Sequence, residues 1–148
     1  MDNLREKILL LVEDNPDDIE LTLRAFRQNR ISNHIEVASN GPDALKFLHA
    51  QSNDIYTSPL PEVMLLDLKL PMMDGLEVLQ AVRAHPRTRY LPVVILTSSK
   101  EEKDLISSYQ LGANSYVRKP VSFVEFTNAA RELGLYWLLW NETILSAT

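Results

Sequence analysis

Short apolar runs recur along the chain at intervals of roughly 22 to 30 residues. These runs, which are rich in β-branched residues, cover 8–12, 35–38, 63–66, 93–96 and 115–117. The first, third and fourth carry apolar side chains at nearly every position, which is typical of strands covered on both faces in a parallel sheet. The pattern predicts five strands, with these three at the centre of the sheet.

The segments between these runs have the spacing of amphipathic helices. Three of them show a repeated apolar face: Ile19, Leu23 and Phe26, then Leu76, Leu79 and Val82, then Leu105, Ile106 and Tyr109. Strands that alternate with helices form right-handed βα units. We therefore expect an α/β fold with a doubly wound, five-stranded parallel sheet and a ligand crevice at the carboxyl ends of its strands.

Polar residues mark where several of the helices begin. Asn15 is a preferred N-cap residue, and Pro16 is preferred at the first helical position. Asp17 and Asp18 then face the positive end of the helix dipole. Two further pairs fit the capping-box spacing and predict the starts of the fourth and fifth helices: Ser99 with Glu102, and Ser122 with Glu125.

Length and composition narrow the classes of function. A chain of 148 residues suits one globular domain, and its net charge of −5 without a Lys/Arg-rich stretch argues against direct nucleic-acid binding. We find neither an apolar run of roughly 20 residues nor a secretory leader pattern, so we expect a soluble, cytoplasmic protein without a membrane partner. Cysteine is absent, which leaves carboxylates, hydroxyls, lysines and three histidines for any chemistry.

Reactive side chains follow four of the five predicted strands. Glu13 and Asp14 follow the first strand, Asp67 the third, Thr97 the fourth and Lys119 the fifth. If the first strand lies beside the third, these groups converge on one crevice although they are distant in sequence. Convergence of this kind is the central prediction from the residue pattern.

The residue types in this set suit phosphoryl transfer. Two unit charges about 4 Å apart interact by roughly 4 kcal/mol at an effective dielectric near 20, so three clustered carboxylates favour a bound cation. Oxygen ligands without histidine or cysteine favour a hard ion, and Mg²⁺ is the cofactor we expect. Asp67 is then the nucleophile toward phosphorus, and Thr97 and Lys119 can bond the equatorial oxygens.

Five separated motifs occur in a fixed order along the chain: Glu13-Asp14, Asp67 with Leu70-Pro71 and Met73-Asp74-Gly75, Thr97-Ser98, Tyr116, and Lys119-Pro120. In these motifs the sequence resembles the receiver domains of bacterial two-component response regulators, which have the flavodoxin-like (βα)5 fold. The resemblance covers about residues 6 to 134, nearly the whole chain.

The resemblance implies a function and a set of residue roles. It implies that a histidine kinase or phosphotransfer protein phosphorylates Asp67, and that Mg²⁺ is bound by Glu13, Asp14, Asp67 and the backbone carbonyl of Lys69. It also implies that Thr97 and Tyr116 shift together on phosphorylation, and that a cis peptide bond follows the lysine. A protein of this class is a phosphoacceptor switch that catalyses its own phosphotransfer and slow autodephosphorylation, rather than a turnover enzyme.

The C-terminal end carries an apolar extension that simple receiver domains lack. We expect a receiver domain over residues 1–134 and an extension over 135–148 that contains Tyr136, Trp137 and Trp140. With the acidic start of the first helix and an irregular connection at 51–61, it resembles small single-domain regulators that accept phosphate from phytochromes. We favour a symmetric homodimer formed through the extension, and the alternative is that it packs on its own domain.

Two other functions compete with the phosphorylation switch. A phosphate-independent interaction module on the same fold would typically have lost the acidic pair, the acceptor or the lysine, and all are present here. A flavin-binding flavodoxin needs a phosphate loop after the first strand, where Glu13 and Asp14 would repel a phosphate. We assign no function to the three histidines, His34, His49 and His85, and expect Met72 and Met73 to serve in loop packing.

Overall fold

A computed structural model describes residues 7–31, 33–49, 60–119 and 122–141 of the chain. The strands are β1 (Leu9–Val12), β2 (Ile35–Ala38), β3 (Val63–Leu66), β4 (Val93–Thr97) and β5 (Ser115–Arg118). The helices are α1 (Pro16–Gln28), α2 (Gly41–Leu48), α3 (Gly75–Ala84), α4 (Glu102–Gln110) and α5 (Phe123–Gly134), followed by a π-helical segment at Leu135–Trp140, here called the tail helix. Each predicted strand agrees with an observed strand to within one residue.

The strands form one parallel sheet in the order β2-β1-β3-β4-β5. β1 lies between β2 and β3, with Val12 paired to Leu66 at the carboxyl end of the sheet. The expected doubly wound sheet is therefore confirmed, and the condition for convergence, that the first strand lies beside the third, is met. This pairing places the residues that follow β1 beside those that follow β3, at the crevice of such folds.

Two apolar layers cover the two faces of the sheet, because successive residues of a strand point to opposite sides. Leu10 and Val12 of β1 pack in one layer with residues of α2 and α3, including Leu48 and Leu79. The neighbouring residues of β1, Leu9 and Leu11, pack in the other layer with α1, α5 and the tail helix. Burial on both faces explains why the central strands read as continuous apolar runs.

Two of the predicted helix starts are confirmed, and a third is wrong. The Asn15 side chain accepts hydrogen bonds from the Asp17 and Asp18 amides, and Ser122 caps α5 as predicted. The predicted box of Ser99 with Glu102 is wrong, because Glu101 occupies the N-cap position of α4. Ser99 instead donates to the Asp104 carboxylate at 2.6 Å, and its hydroxyl accepts from the Glu101 amide.

The tail helix continues α5 without a break in helical backbone. Gly134 is helical and buried, and a Cβ atom there would lie 2.1 Å from the end of the Ile31 side chain, which would have to shift to admit a larger residue. Trp137 and Leu138 are buried against the domain, whereas Tyr136 is 51% exposed. The tail thus packs partly on its own domain, and its role in dimerisation stays a prediction.

Some sequence predictions fall on residues that the structure does not describe. Most of the connection at 51–61 lies outside the described residues, and so does Pro120, on which the expected cis peptide bond depends. Among the helices that the structure describes, none is long and apolar enough to cross a membrane.

Candidate functional site

Three carboxylates meet where β1 and β3 end. Glu13 and Asp14 directly follow β1, and Asp67 directly follows β3. Each offers one oxygen, and these oxygens lie within 4.8 Å of one another, with Glu13 and Asp67 buried and Asp14 exposed. A set of oxygens that is open to solvent on one side suits a hard divalent cation that keeps several of its waters.

The backbone around Asp67 is fixed on both sides. Its amide donates to the Val12 carbonyl at 3.1 Å, and its carboxylate Oδ1 accepts from the Leu68 amide at 2.8 Å. Gly75, the first residue of α3, lies so close that a Cβ atom there would be 2.3 Å from the Asp67 carbonyl oxygen. This contact explains a glycine at that point of the motif, because any side chain would displace the backbone of Asp67.

Lys119 crosses the site from the opposite side. Its ammonium lies 2.5 Å from the Glu13 carboxylate, 2.9 Å from that of Asp18 and 3.5 Å from Oδ2 of Asp67. Its backbone amide donates to the Thr97 carbonyl at 2.7 Å, which ties the end of β5 to the end of β4. Since the lysine side chain is only 9% exposed, these carboxylates are the main partners of its charge.

Burial and charge set the protonation of this cluster. Burial is the largest influence on Glu13 and raises the pKa of its carboxyl from 4.5 to about 7; the Asp67 charge adds to the rise and the Lys119 hydrogen bond opposes it. Burial alone would lower the pKa of Lys119, but its bonds to Glu13 and Asp18 and the charge of Asp67 raise that pKa above its ordinary value. Lys119 therefore stays charged, and Glu13 exchanges its proton near neutral pH.

Thr97 and Tyr116 are linked through the loop after β4. Thr97 is fully buried, and its hydroxyl accepts a hydrogen bond from the Ser99 amide at 3.3 Å. The Tyr116 hydroxyl reaches the Ser99 carbonyl at 3.5 Å, which is a weak contact. Tyr116 also lines an open groove of about 390 Å³ together with Lys100, Glu101, Glu102, Leu105 and Arg118.

Several candidate residues are placed away from this cluster or near its edge. Lys69 is exposed in the loop that follows Asp67, and the role of its carbonyl stays a prediction. His49 and His85 stack with ring centroids 3.9 Å apart. They follow the C-terminal ends of α2 and α3, at the end of the strands away from the crevice. Met73 packs against the core, but the packing predicted for Met72 is wrong, because its side chain is 77% exposed and its φ is 68°.

Sequence reasoning missed the contact between Asp18 and Lys119. Asp18 was interpreted only as a favourable charge at the start of α1, and the structure adds a hydrogen bond to Lys119 at 2.9 Å. The signal was nonetheless present, because Asp18 lies in the first turn after the acidic pair, and that turn begins at the crevice. A second carboxylate on such a turn is a candidate partner for any lysine that enters the crevice.

Comparison with known proteins identifies the family. The family model for the response regulator receiver domain matches residues 9–131. The chain belongs to this family, and it is a phosphoacceptor response regulator of a two-component phosphorelay. The acidic cluster fits the divalent-metal binding seen in a Mn²⁺-bound relative.

The chain is similar over most of its length to several known proteins. It is 40% identical to the probable methanogenesis regulatory protein FilR2 of Methanothrix harundinacea, over 92% of this chain and 86% of that protein. It is 35% identical to the response regulator Rcp1 of Synechocystis, over 89% of each, and the solved Mn²⁺-bound form of Rcp1 superposes with a TM-score of 0.82 over 93% of this chain and 98% of that chain. The bacteriophytochrome response regulator AtBRR is 48% identical, with a TM-score of 0.71 over 94% of this chain and all of its own.

Proposed function

We propose that this response regulator accepts a phosphoryl group on Asp67 from the phosphohistidine of a histidine kinase or phosphotransfer protein, with Mg²⁺ as its metal. The observation that carries this proposal is the meeting of Asp67 with two further carboxylates and a buried lysine at one crevice. Glu13, Asp14, Asp67 and the carbonyl of Lys69 would hold the metal, which supplies positive charge against the phosphoryl oxygens.

The residues present account for the transfer step. A carboxylate oxygen of Asp67 forms a bond to phosphorus as the bond from phosphorus to the donor's imidazole nitrogen breaks, and that nitrogen takes up a proton from solvent. Lys119 already lies 3.5 Å from Oδ2 of Asp67, so its ammonium can bond an equatorial oxygen of the incoming group. Water attack on the same phosphorus later returns Asp67 and inorganic phosphate, which gives a slow autodephosphorylation.

We propose that Thr97 and Tyr116 carry the signal outward. The Thr97 hydroxyl would turn to bond a phosphoryl oxygen and release the Ser99 amide that it now accepts from at 3.3 Å. Movement of Ser99 would break the weak contact between its carbonyl and the Tyr116 hydroxyl at 3.5 Å. The Tyr116 ring could then move toward the groove beside α4. Partners that bind the moved ring would favour the phosphorylated state.

The similarity to phytochrome regulators supports a narrower proposal for the kinase. AtBRR is described as a bacteriophytochrome response regulator, and it is 48% identical to this chain. We propose that the cognate kinase is of the phytochrome type. We also propose that output runs through protein contacts rather than direct nucleic-acid binding, because the chain has a net charge of −5.

We also propose that the chain forms a dimer through the tail helix. The exposed apolar surface available for this contact is smaller than the sequence predicted. Trp137 and Leu138 are buried on their own domain, so they are not available to a second copy. Leu135 and Tyr136 remain 38% and 51% exposed. We propose that these two side chains contact a second copy of the chain in a symmetric dimer.

Phosphorylation with acetyl phosphate and Mg²⁺ tests the acceptor assignment. We expect intact-protein mass spectrometry to show one acid-labile phosphoryl group on the wild-type protein and none on Asp67→Asn. Asp74→Asn is the matched control, because asparagine caps a helix as well as aspartate and this variant removes one exposed carboxylate of the same loop. Labelling of Asp67→Asn would refute the assignment, and an unlabelled wild-type protein would favour the phosphate-independent module.

A further inference from the structure

Three carboxylates lie within 3.5 Å of the Lys119 ammonium. Its distances are 2.5 Å to Glu13, 2.9 Å to Asp18 and 3.5 Å to Asp67. An ammonium has three hydrogens to donate; Lys119 donates to Glu13 and Asp18, and Asp67 lies at ion-pair distance. A phosphoryl oxygen therefore competes with these carboxylates for the ammonium.

The three competitors differ in what happens to them when the site is loaded. Under the proposed function, the carboxylates of Glu13 and Asp67 would bind the metal. The Asp67 carboxylate would also lose its own negative charge when one of its oxygens bonds phosphorus. Asp18 is not among the carboxylates of the acidic cluster. It is therefore the one carboxylate of the three that still competes with phosphoryl oxygens for the ammonium.

The start of α1 holds Asp18 in this position. Asn15 caps the helix by accepting from the Asp18 amide at 3.1 Å, so the residue is fixed in the first turn above the crevice. Its side chain is 37% exposed, which weakens its interaction with Lys119 by solvent screening but does not remove it. Asp17 carries the same charge on the same turn and is exposed.

We propose that Asp18 is a positioning residue that holds Lys119 in competition with the phosphoryl group, and so restrains both the phosphorylation of Asp67 and the lifetime of its phosphoryl group. The proposal rests on the proposed function, since it needs Lys119 to bond the phosphoryl oxygens. Two effects act in the same direction: Asp18 occupies one ammonium hydrogen, and its negative charge repels the incoming dianion.

A purely structural role for Asp18 has a different signature. A carboxylate near a helix N-terminus stabilises the helix through the dipole, and Asp17 lies in the same first turn of α1 with the same charge. If this were the whole role of Asp18, loss of either charge would change phosphorylation to the same extent. The pair therefore offers a matched control within one turn of one helix.

The test compares Asp18→Asn, Asp18→Glu and Asp17→Asn with the wild type, using acetyl phosphate and Mg²⁺ as the phosphodonor and mass spectrometry to follow labelling. We expect Asp18→Asn to be labelled roughly threefold to tenfold faster and to hold its phosphoryl group longer, as suits loss of one partly screened charge. Asp17→Asn should remain within roughly twofold of the wild type by the same screening. Asp18→Glu should restore slow labelling because it keeps the charge.

Affinity for beryllofluoride provides a second readout that does not depend on the labelling rate. Asp18→Asn should bind beryllofluoride more tightly than Asp17→Asn, while the Mg²⁺ affinities of the two variants agree. Equal labelling of the two variants, or slower labelling of Asp18→Asn with weaker beryllofluoride binding, would overturn the inference. A wild-type protein that takes up no phosphoryl group would instead refute the proposed function.

Discussion

Mg²⁺ binding should weaken as the pH falls from 8 to 6 because Glu13 must lose a proton before it can serve a cation. Burial is the main cause that raises the pKa of its carboxyl to about 7. Above that pKa the carboxyl is ionised and can bind the metal directly. Below it, the carboxyl must release a proton before the metal binds. Metal affinity is therefore expected to be nearly constant above pH 8 and to decline below it.

The size of the effect follows from the fraction of Glu13 that is ionised. With the pKa at about 7, about nine-tenths is ionised at pH 8 and about one-tenth at pH 6, so the apparent dissociation constant should rise roughly tenfold. At the ordinary carboxyl pKa of 4.5 the ionised fraction would hardly change over this range. Lys119 stays charged throughout, because its pKa is raised.

Calorimetric titration with Mg²⁺ at both pH values, in two buffers of different ionisation enthalpy, measures the affinity and counts the protons released. We expect close to one proton per metal at pH 6 and close to none at pH 8. Glu13→Gln serves as the control, since it should bind the metal more weakly but with equal affinity at the two pH values. An affinity that stays within roughly twofold for the wild type would refute the reasoning about Glu13.

Two further predictions concern backbone contact and assembly. Gly75→Ala should lower the free energy of unfolding by roughly 1 to 3 kcal/mol in urea denaturation, because its Cβ would lie 2.3 Å from the Asp67 carbonyl oxygen; an unchanged midpoint would contradict the close approach. Tyr136→Ser should weaken dimerisation in sedimentation with and without beryllofluoride, whereas Tyr90→Ser, which changes a tyrosine 66% exposed elsewhere, should not. A wild-type protein that stays monomeric at high micromolar concentration in both states would defeat the dimer.

Much of the fold was predictable because its signals are local and agree with one another. The apolar runs of β1, β3 and β4 are continuous since both faces of each strand are buried, and they give the strand bounds to within one residue. The convergence of Glu13, Asp14 and Asp67 needed only the parallel pairing of β1 with β3. That pairing occurs in one of the two common strand orders of doubly wound sheets, so the residue pattern made the convergence conditional on it.

The side-chain contacts were harder to predict because they depend on directions that a sequence pattern does not carry. Ser99 and Glu102 have the spacing of a capping box, yet Ser99 lies two residues before the N-cap Glu101 and bonds Asp104 instead. The hydrogen bond between Asp18 and Lys119 joins residues 101 positions apart. This hydrogen bond depends on the conformation of the long, flexible Lys119 side chain.

The tail shows the same limit in its packing. Its aromatic composition indicated that something must cover it, and this holds for Trp137, which is 7% exposed. Whether its own domain covers an aromatic side chain depends on contacts between residues distant in sequence, such as that of Gly134 with Ile31, and the spacing of the tail does not carry them.

The bonds around Ser99 suggest how a small change at Asp67 can reach the surface. Ser99 has four constraints: its amide donates to Thr97, its hydroxyl donates to Asp104 of α4 at 2.6 Å and accepts from the Glu101 amide, and its carbonyl accepts weakly from Tyr116. If Thr97 turns toward a phosphoryl oxygen, the first constraint is lost while the bond to α4 remains. The loop would then follow α4 rather than β4. The contact of the Tyr116 hydroxyl with the Ser99 carbonyl at 3.5 Å is weak and costs little to break, so we propose that Tyr116 leaves Ser99 when that loop moves.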